Sequence, residues 1–343
     1  MRERTYGQAL HEAQTLSMDR DDSVFIMGIG VDDHKAIFGT TKGLVQRFGS
    51  QRVFDTPISE AAMTGVAIGA ALAGMRPIHI HIRADFLYLA MDQLLNMAAK
   101  WRYMFGGTMS VPLVVRAVVG RSWGQGAQHS QSLQSLFMHV PGIKLVMPTT
   151  PYDAKGILLA SIADPNPVVI IEHRLLYDIS GDVPEGYYES PLGQAMVRRT
   201  GSDLTIVANS YMVAECLRAA EFLAQHGIEV EIIDPVSLVP LDSDTIIRSV
   251  VKTGRLLVVD TSWVTCSVSS EISAIVAERA LDALKGPIRR MGNKHVPCPV
   301  SKTLENEFYP NAKSISETVG AMLDRDLPTQ DVMSLTHKFK GPF

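Results

Sequence analysis

The chain has 343 residues, 46% hydrophobic and 20% charged, with a formal net charge of −4 at pH 7. That length exceeds one typical core and predicts two domains. A near-neutral balance without a basic block excludes the electrostatic footprint of a nucleic-acid or anionic-membrane binder.

In chain order, short β-branched runs alternate with helical stretches, the signature of a parallel sheet covered on both faces. Strands are predicted at 24–27, 78–82, 113–117, 144–147 and 168–172, with helices at about 5–17, 40–48, 60–73, 86–103 and 151–163. Gly, Pro and polar residues accumulate from 180 to 191, where a linker is expected. A second series follows, with strands at 204–208, 229–233 and 256–260 and helices at about 211–225, 242–252 and 268–283. The predicted fold class is α/β, with two doubly wound domains over 1–185 and 197–325, a linker over 186–196 and a polar tail over 326–343. Cys216, Cys266 and Cys298 have no metal-ligand spacing and read as reduced structural thiols. The N-terminus lacks the apolar core of a signal peptide, and the small-apolar run 61–75 is too short to span a bilayer. A cytoplasmic protein is expected.

Asp55-Thr56-Pro57-Ile58-Ser59-Glu60 leads straight into a run of Ala, Gly and other small or apolar residues. One reading is local: Ser59 or Thr56 caps a helix and the acid suits its macrodipole. The other is chemical. A helix without a polar face is expected to be buried on all sides. Glu60 is then carried inside, where an unpaired charge is costly and a pKa can rise by roughly 3–5 units. Such a carboxyl needs a partner, for which a ligand nitrogen is suited.

No Gly-x-Gly-x-x-Gly follows a strand, and there is no Walker loop, nucleophile elbow or zinc-type His/acid spacing. In Gly124-Gln-Gly-Ala-Gln-His129-Ser-Gln-Ser132, two glycines permit close approach to a ligand, and His129 is expected at the start of a helix beginning near Ser130. There the dipole favours neutral imidazole; a plain loop or capping histidine is the alternative. Phe86 follows a predicted strand end, the usual ligand edge of such sheets. It either stacks on a heteroaromatic ring or packs in the core. His79 and His81 share one strand face and read as satisfied sheet histidines.

These segments together resemble the β subunit of the thiamine-diphosphate-dependent 2-oxo acid dehydrogenases, the E1β family, from about Thr5 to Leu323. The resemblance is carried by Asp55-Thr-Pro-Ile-Ser-Glu60, Gly74-Met-Arg-Pro77, Ala90-Met-Asp-Gln93 with Asn96, Ala127-Gln-His-Ser-Gln131, Asp153-Ala-Lys-Gly156 and Asn166-Pro-Val-Val169. Pro240-Leu-Asp242 and Lys252-Thr253 extend it. It implies a transketolase-like pyrimidine-binding domain followed by a transketolase C-terminal-like domain.

It also implies roles. Glu60 would hydrogen-bond N1′ of the aminopyrimidine, Phe86 would stack on that ring with Ile58 beside the cofactor, and His129 would serve acyl transfer. The diphosphate and its Mg²⁺ would lie on an α subunit, with the site shared in an α₂β₂ assembly. A K⁺ would be held largely by backbone carbonyls near Leu113, Ser161, Asp164 and Asn166. The implied reaction decarboxylates a 2-oxo acid and passes the acyl group to a lipoyl acyltransferase partner, E2.

The chain departs from the family pattern in three places. Gly28-Ile29-Gly30-Val31 stands where an acidic pair is usual, His79-Ile-His-Ile-Arg83-Ala84 replaces an aromatic and Thr-rich run, and Asp260-Thr-Ser-Trp-Val-Thr-Cys-Ser replaces a Gly-rich turn. Arg83 either lines the substrate entrance or makes a surface salt bridge. Two further readings follow: a two-chain transketolase-like or carboligating enzyme without a lipoyl partner, and a non-catalytic paralogue.

Overall fold

A computed structural model describes residues 1–33, 35–121 and 124–332, which divide into two compact units. The first comprises residues 1–120 and 128–192, the second 121–127 and 193–332. Most of the tail expected over 326–343 lies outside the described residues.

The first unit begins with β1 (Arg2–Thr5) and α1 (Tyr6–Arg20), joined by a capping box in which Thr5 and Gln8 bond each other's backbone. Its central sheet uses β2 (Val24–Gly28), β3 (Val53–Asp55), β4 (Arg76–His81), β5 (Val114–Val119), β6 (Lys144–Val146) and β7 (Val168–His173). Their order is β6-β7-β5-β4-β2-β3, and every pairing is parallel. β2, β5 and β7 are buried throughout, as expected of strands covered on both faces. The covering helices include α2 (Leu44–Phe48), α3 (Glu60–Leu72), α4 (Ala99–Met104), α5 (Gln134–Met138) and α6 (Pro151–Ala163).

A charged knot crosses this core. Arg116 donates to Glu172 Oε1 at 2.5 Å and Oε2 at 2.9 Å, and to Gln14 Oε1 at 2.8 Å. Tyr177 adds a bond to Glu172 at 2.6 Å, and both charged side chains are fully buried. Burial and the Glu172 charge push the Tyr177 hydroxyl well above its ordinary pKa. One ion pair thus ties β5 and β7 to α1.

Two expectations fail here for identifiable reasons. Residues 180–183, expected within a linker, form β8 (Ser180–Val183), antiparallel to β1. Both strands are short and polar, so neither carries an apolar alternation. The helix expected over 86–103 is three segments: a 3₁₀ stretch Ala84–Ala90, a π stretch Asp92–Ala98, then α4. The changing hydrogen-bond spacing buries Leu87, Ala90 and Leu94 while leaving Phe86, Tyr88 and Leu89 exposed.

The second unit contains β9 (Met196–Arg199), β10 (Leu204–Ala208), β11 (Val230–Asp234), β12 (Ser237–Val239), β13 (Leu256–Trp263) and β14 (Arg289–Asn293). Five of them form a sheet ordered β14-β13-β10-β11-β9, parallel except at β9. α7 (Tyr211–Gln225), α8 (Ser243–Thr253), α9 (Val268–Ala280), α10 (Lys302–Phe308) and α11 (Ala312–Met322) complete the unit. Residues 121–127 belong here: Arg121 bonds Asn306 at 2.5 Å, and Gly126 sits so close to Val300 that a Cβ would fall 2.8 Å from its methyl. No helix among the described residues is long and apolar enough to cross a membrane.

Candidate active site

The chemistry-bearing residues follow the carboxyl ends of neighbouring strands in the first unit, the edge at which open parallel sheets take ligands. β3 leads to Glu60, β4 to Phe86, and β5 to the loop that returns at His129.

Glu60 opens α3 and is only 8% exposed, yet its carboxylate has no hydrogen bond or ion pair among the described residues. Ser59 occupies the N-cap position without a side-chain capping bond, so the capping part of the local reading fails, while Glu60 does stand in the first turn. The expectation of a helix buried on all sides also fails within this chain. Glu60, Thr64, Ala67, Ile68 and Ala71 face inward, whereas Ala62, Gly65, Val66 and Gly69 are exposed. Ile58, just ahead of Glu60, is 82% exposed.

α3 packs against the 3₁₀ stretch that carries Phe86. Phe86 is 36% exposed, so the core-packing alternative does not describe it. Its ring meets the His129 ring edge to face, with centroids 5.4 Å apart. His129 is not at a helix start: it lies in a bend between a 3₁₀ turn, Gly126–Gln128, and α5. The Gln131 N–H donates to Asp85 Oδ1 at 3.0 Å. Gln131 Nε2 reaches the same oxygen at 3.0 Å, and Arg174 Nη2 donates to the His129 carbonyl at 2.9 Å. Burial raises the Asp85 pKa, opposed by the Gln131 bonds and the nearby His129.

Sequence reasoning missed Asp85, Gln131 and Arg174 as site residues. The available signal was Asp85 itself, a short acid directly before Phe86 at a strand end. Asp85 Oδ2 and Ser130 Oγ are buried without a partner among the described residues, as is His81 Nε2. Buried polar atoms of this kind are normally satisfied.

At the Gly28–Val31 turn, a Cβ on Gly28 would lie 2.3 Å from the Ile80 carbonyl, so no side chain fits there. The turn is held from β3, where Asp55 Oδ1 accepts the Val31 and Asp32 N–H groups at 2.6 and 3.1 Å. Arg83 is half-buried, its guanidinium 5.8 Å from the Phe38 ring centre. His79 and His81 do share a face, with ring centroids 4.2 Å apart. His79 meets Thr64 Oγ1 at 3.4 Å, but the orphaned His81 Nε2 contradicts the expectation of satisfied sheet histidines.

Of the residues expected near a K⁺, some oxygens already have partners within the chain. Leu113 O accepts from Val168 N at 2.9 Å, and Ser161 Oγ is turned back to Ile157 O at 2.7 Å. Arg76 donates to the Ile162 and Asp164 carbonyls at 2.7 and 3.4 Å. Lys144 pairs with the Asp164 carboxylate, whose other oxygen accepts from Asn166. Among the described residues no cluster of three His, Cys, Asp or Glu is placed to hold a metal ion.

The comparisons with known proteins agree with this architecture. Residues 2–179 match the family model of the transketolase pyrimidine binding domain, and residues 193–315 that of the transketolase C-terminal domain. A solved split-gene transketolase, an inactive β4 tetramer, superposes with a TM-score of 0.74 over 93% of this chain and 97% of that one, at 22% identity. The likeness defines a transketolase-type fold.

Curated relatives are closer in sequence. The chain is 46% identical over 318 residues to the β subunit of acetoin:2,6-dichlorophenolindophenol oxidoreductase from Cupriavidus necator, covering 90% of this chain and 94% of that protein. It is 42% identical over 315 residues to the pyruvate dehydrogenase E1 component subunit β of Rickettsia felis, covering 92% and 97%. It is 40% identical over 313 residues to the 2-oxoisovalerate dehydrogenase subunit β of Bacillus subtilis, covering 91% and 96%. The chain belongs to the thiamine-diphosphate-dependent E1 β-subunit family of the 2-oxo acid dehydrogenases.

Proposed function

We propose that this chain supplies the pyrimidine side of a thiamine diphosphate site, shared with an α-type subunit, in an enzyme that decarboxylates a 2-oxo acid and passes the acyl group to a lipoyl carrier. One observation carries the reading: an unpaired, nearly buried carboxylate at the mouth of α3 beside an open Phe86–His129 pair on the neighbouring strand end. Thiamine diphosphate, when bound, supplies the carbon nucleophile that attacks the substrate carbonyl. Glu60 would hold a hydrogen bond to the pyrimidine N1′, giving its otherwise unpaired carboxyl a partner. Phe86 would stack on the pyrimidine ring, and exposed Ile58, on the loop before α3, would lie beside the cofactor. His129 would move a proton at the reacting carbonyl oxygen.

By the family resemblance the α-type partner takes the diphosphate and its Mg²⁺, which accords with the lack of a Walker or Gly-x-Gly-x-x-Gly loop in this sequence. Exposed Ile58, Val66, Tyr88, Leu89, Tyr103 and Met104 supply apolar surface for such a partner in an α₂β₂ assembly. A K⁺ at Leu113, Ser161, Asp164 and Asn166 would share Asp164 with Arg76 and Lys144, which already reach its oxygens, and no step is assigned to it. A lipoyl acyltransferase as acceptor and a cytoplasmic location complete the proposal.

A second reading of the substrate rests on the relatives. Two acetoin oxidoreductase β subunits, 46% and 44% identical, stand alongside the 2-oxo acid enzymes. Acetoin cleavage would use the same site, with carbon–carbon cleavage of a hydroxyketone in place of decarboxylation. The test is co-expression with the α-type chain, followed by assay of pyruvate, 2-oxoisovalerate and acetoin with 2,6-dichlorophenolindophenol as electron acceptor. Thiamine-diphosphate-dependent dye reduction is expected with a 2-oxo acid; turnover of acetoin alone selects the second reading. No cofactor-dependent turnover of any of the three refutes both.

A further inference from the structure

Resting on the role given to His129, we propose that Asp85 is a positioning residue that holds the His129 loop in register with Phe86 through Gln131. Between the 3₁₀ turn Gly126–Gln128 and α5, the chain has neither a helix nor a strand ladder of its own. Its placement must come from outside. Among its anchors are Arg174 Nη2 on the His129 carbonyl at 2.9 Å, and Asp85 Oδ1 on both the backbone N–H and Nε2 of Gln131, each at 3.0 Å.

Of the two, Asp85 has the more specific geometry. It is the residue immediately before Phe86, and it reaches a residue two positions beyond His129. One carboxylate therefore sets the Phe86 backbone and the His129 backbone against each other, as the 5.4 Å edge-to-face contact of those rings requires. Asp85 is 5% exposed, and its second oxygen is buried without a partner among the described residues. A charged group accepting two N–H donors makes stronger bonds than a neutral one, and burial strengthens them further. Catalysis is sensitive to small misplacements of such a group, so a residue that never touches substrate can govern turnover.

The test uses three variants in the complex co-purified with its α-type chain, with two readouts. Amide hydrogen exchange over residues 128–133 reports on the clamp without any turnover. Steady-state kinetics separate kcat from KM. Asp85→Ala removes the acceptor: exchange at Gln131 is expected to quicken by roughly ten- to a hundredfold, the loss of a charge-assisted hydrogen bond. kcat is expected to fall at least about tenfold with KM little changed. Asp85→Asn retains an oxygen that accepts both Gln131 donors and is expected to restore protection and most of kcat. A merely structural residue would lower thermal stability without that split or that rescue.

Wild-type exchange and kcat in Asp85→Ala overturn the proposal, as does an Asn variant as impaired as Ala in both readouts. If Asp85→Ala does not fold, Gln131→Ala decides, since it removes the Nε2 bond alone; an unchanged kcat there is a refutation. Glu60→Gln, run in parallel, keeps the two claims apart. Its retention of full turnover would sink the catalytic assignment of this chain, while the exchange arm would still report on the clamp.

Discussion

Buried His79 makes the first unit acid-sensitive by an amount that can be worked out. Desolvation on β4 lowers its pKa from 6.5 to about 4, and the neighbouring His81 is lowered well below its ordinary value by burial and by the His79 charge. In the unfolded chain His79 takes up its proton near pH 6.5, but in the folded chain only near pH 4. The unfolded state thus binds more protons within that window, and stability is lost as pH falls through it. Above pH 6.5 the contribution is complete; below about pH 4 the loss is complete. At about 1.36 kcal/mol per pKa unit, the interval corresponds to roughly 3 kcal/mol from His79 alone. His79→Leu keeps a buried side chain and removes the titration. Urea unfolding of both proteins at steps from pH 7.5 to pH 4 gives the difference free of the carboxylates they share. The wild type should lose about 3 kcal/mol relative to His79→Leu across the range. A difference constant to within about 0.5 kcal/mol would refute the reasoning, because no desolvated histidine could then titrate between the two states.

The Arg116–Glu172 pair leads to a second expectation. Glu172→Gln leaves a buried guanidinium uncompensated and should cost about 3–5 kcal/mol in unfolding free energy, whereas Arg116→Met combined with Glu172→Leu should recover much of it; a loss under about 1 kcal/mol in the single variant contradicts this account. Ile58 makes the opposite case. At 82% exposure it contributes little to folding, so Ile58→Ala should keep the melting temperature within a degree or two. It should nevertheless raise the concentration of thiamine diphosphate needed for half-maximal activity by about tenfold, the worth of a few buried methylenes. Unchanged cofactor affinity would remove Ile58 from the site.

The strands of the first sheet were readable because β2, β5 and β7 are mostly apolar runs rich in Val and Ile, the pattern that two-sided burial imposes. β1 and β8 were not, since a short polar pair leaves no alternation to detect. Glu60 and Phe86 could be singled out because each stands at a strand or helix boundary that the local pattern marks, but their roles came only from the family resemblance. The setting of His129 could not: a carboxylate 46 positions away in sequence captures the Gln131 amide, and no local signal reports such a bond. α3 shows a different limit. Its small residues hide which face is exposed, so the stripe of Ala62, Gly65, Val66 and Gly69 emerged only once α3 was packed on its neighbours. Residues 84–104 likewise read as one helix, because hydrophobic periodicity does not resolve a passage from 3₁₀ to π to α spacing.

Turnover of Glu60→Gln in complex with the α-type chain tests the central claim most directly. Glutamine preserves the size of the side chain at the mouth of α3 and removes the carboxyl group that would share a proton with the cofactor. With circular dichroism and melting temperature unchanged, kcat should fall by at least about a hundredfold, the usual worth of a positioned acid–base group. Turnover within a fewfold of wild type would contradict the assignment of this chain's carboxylate to the reaction.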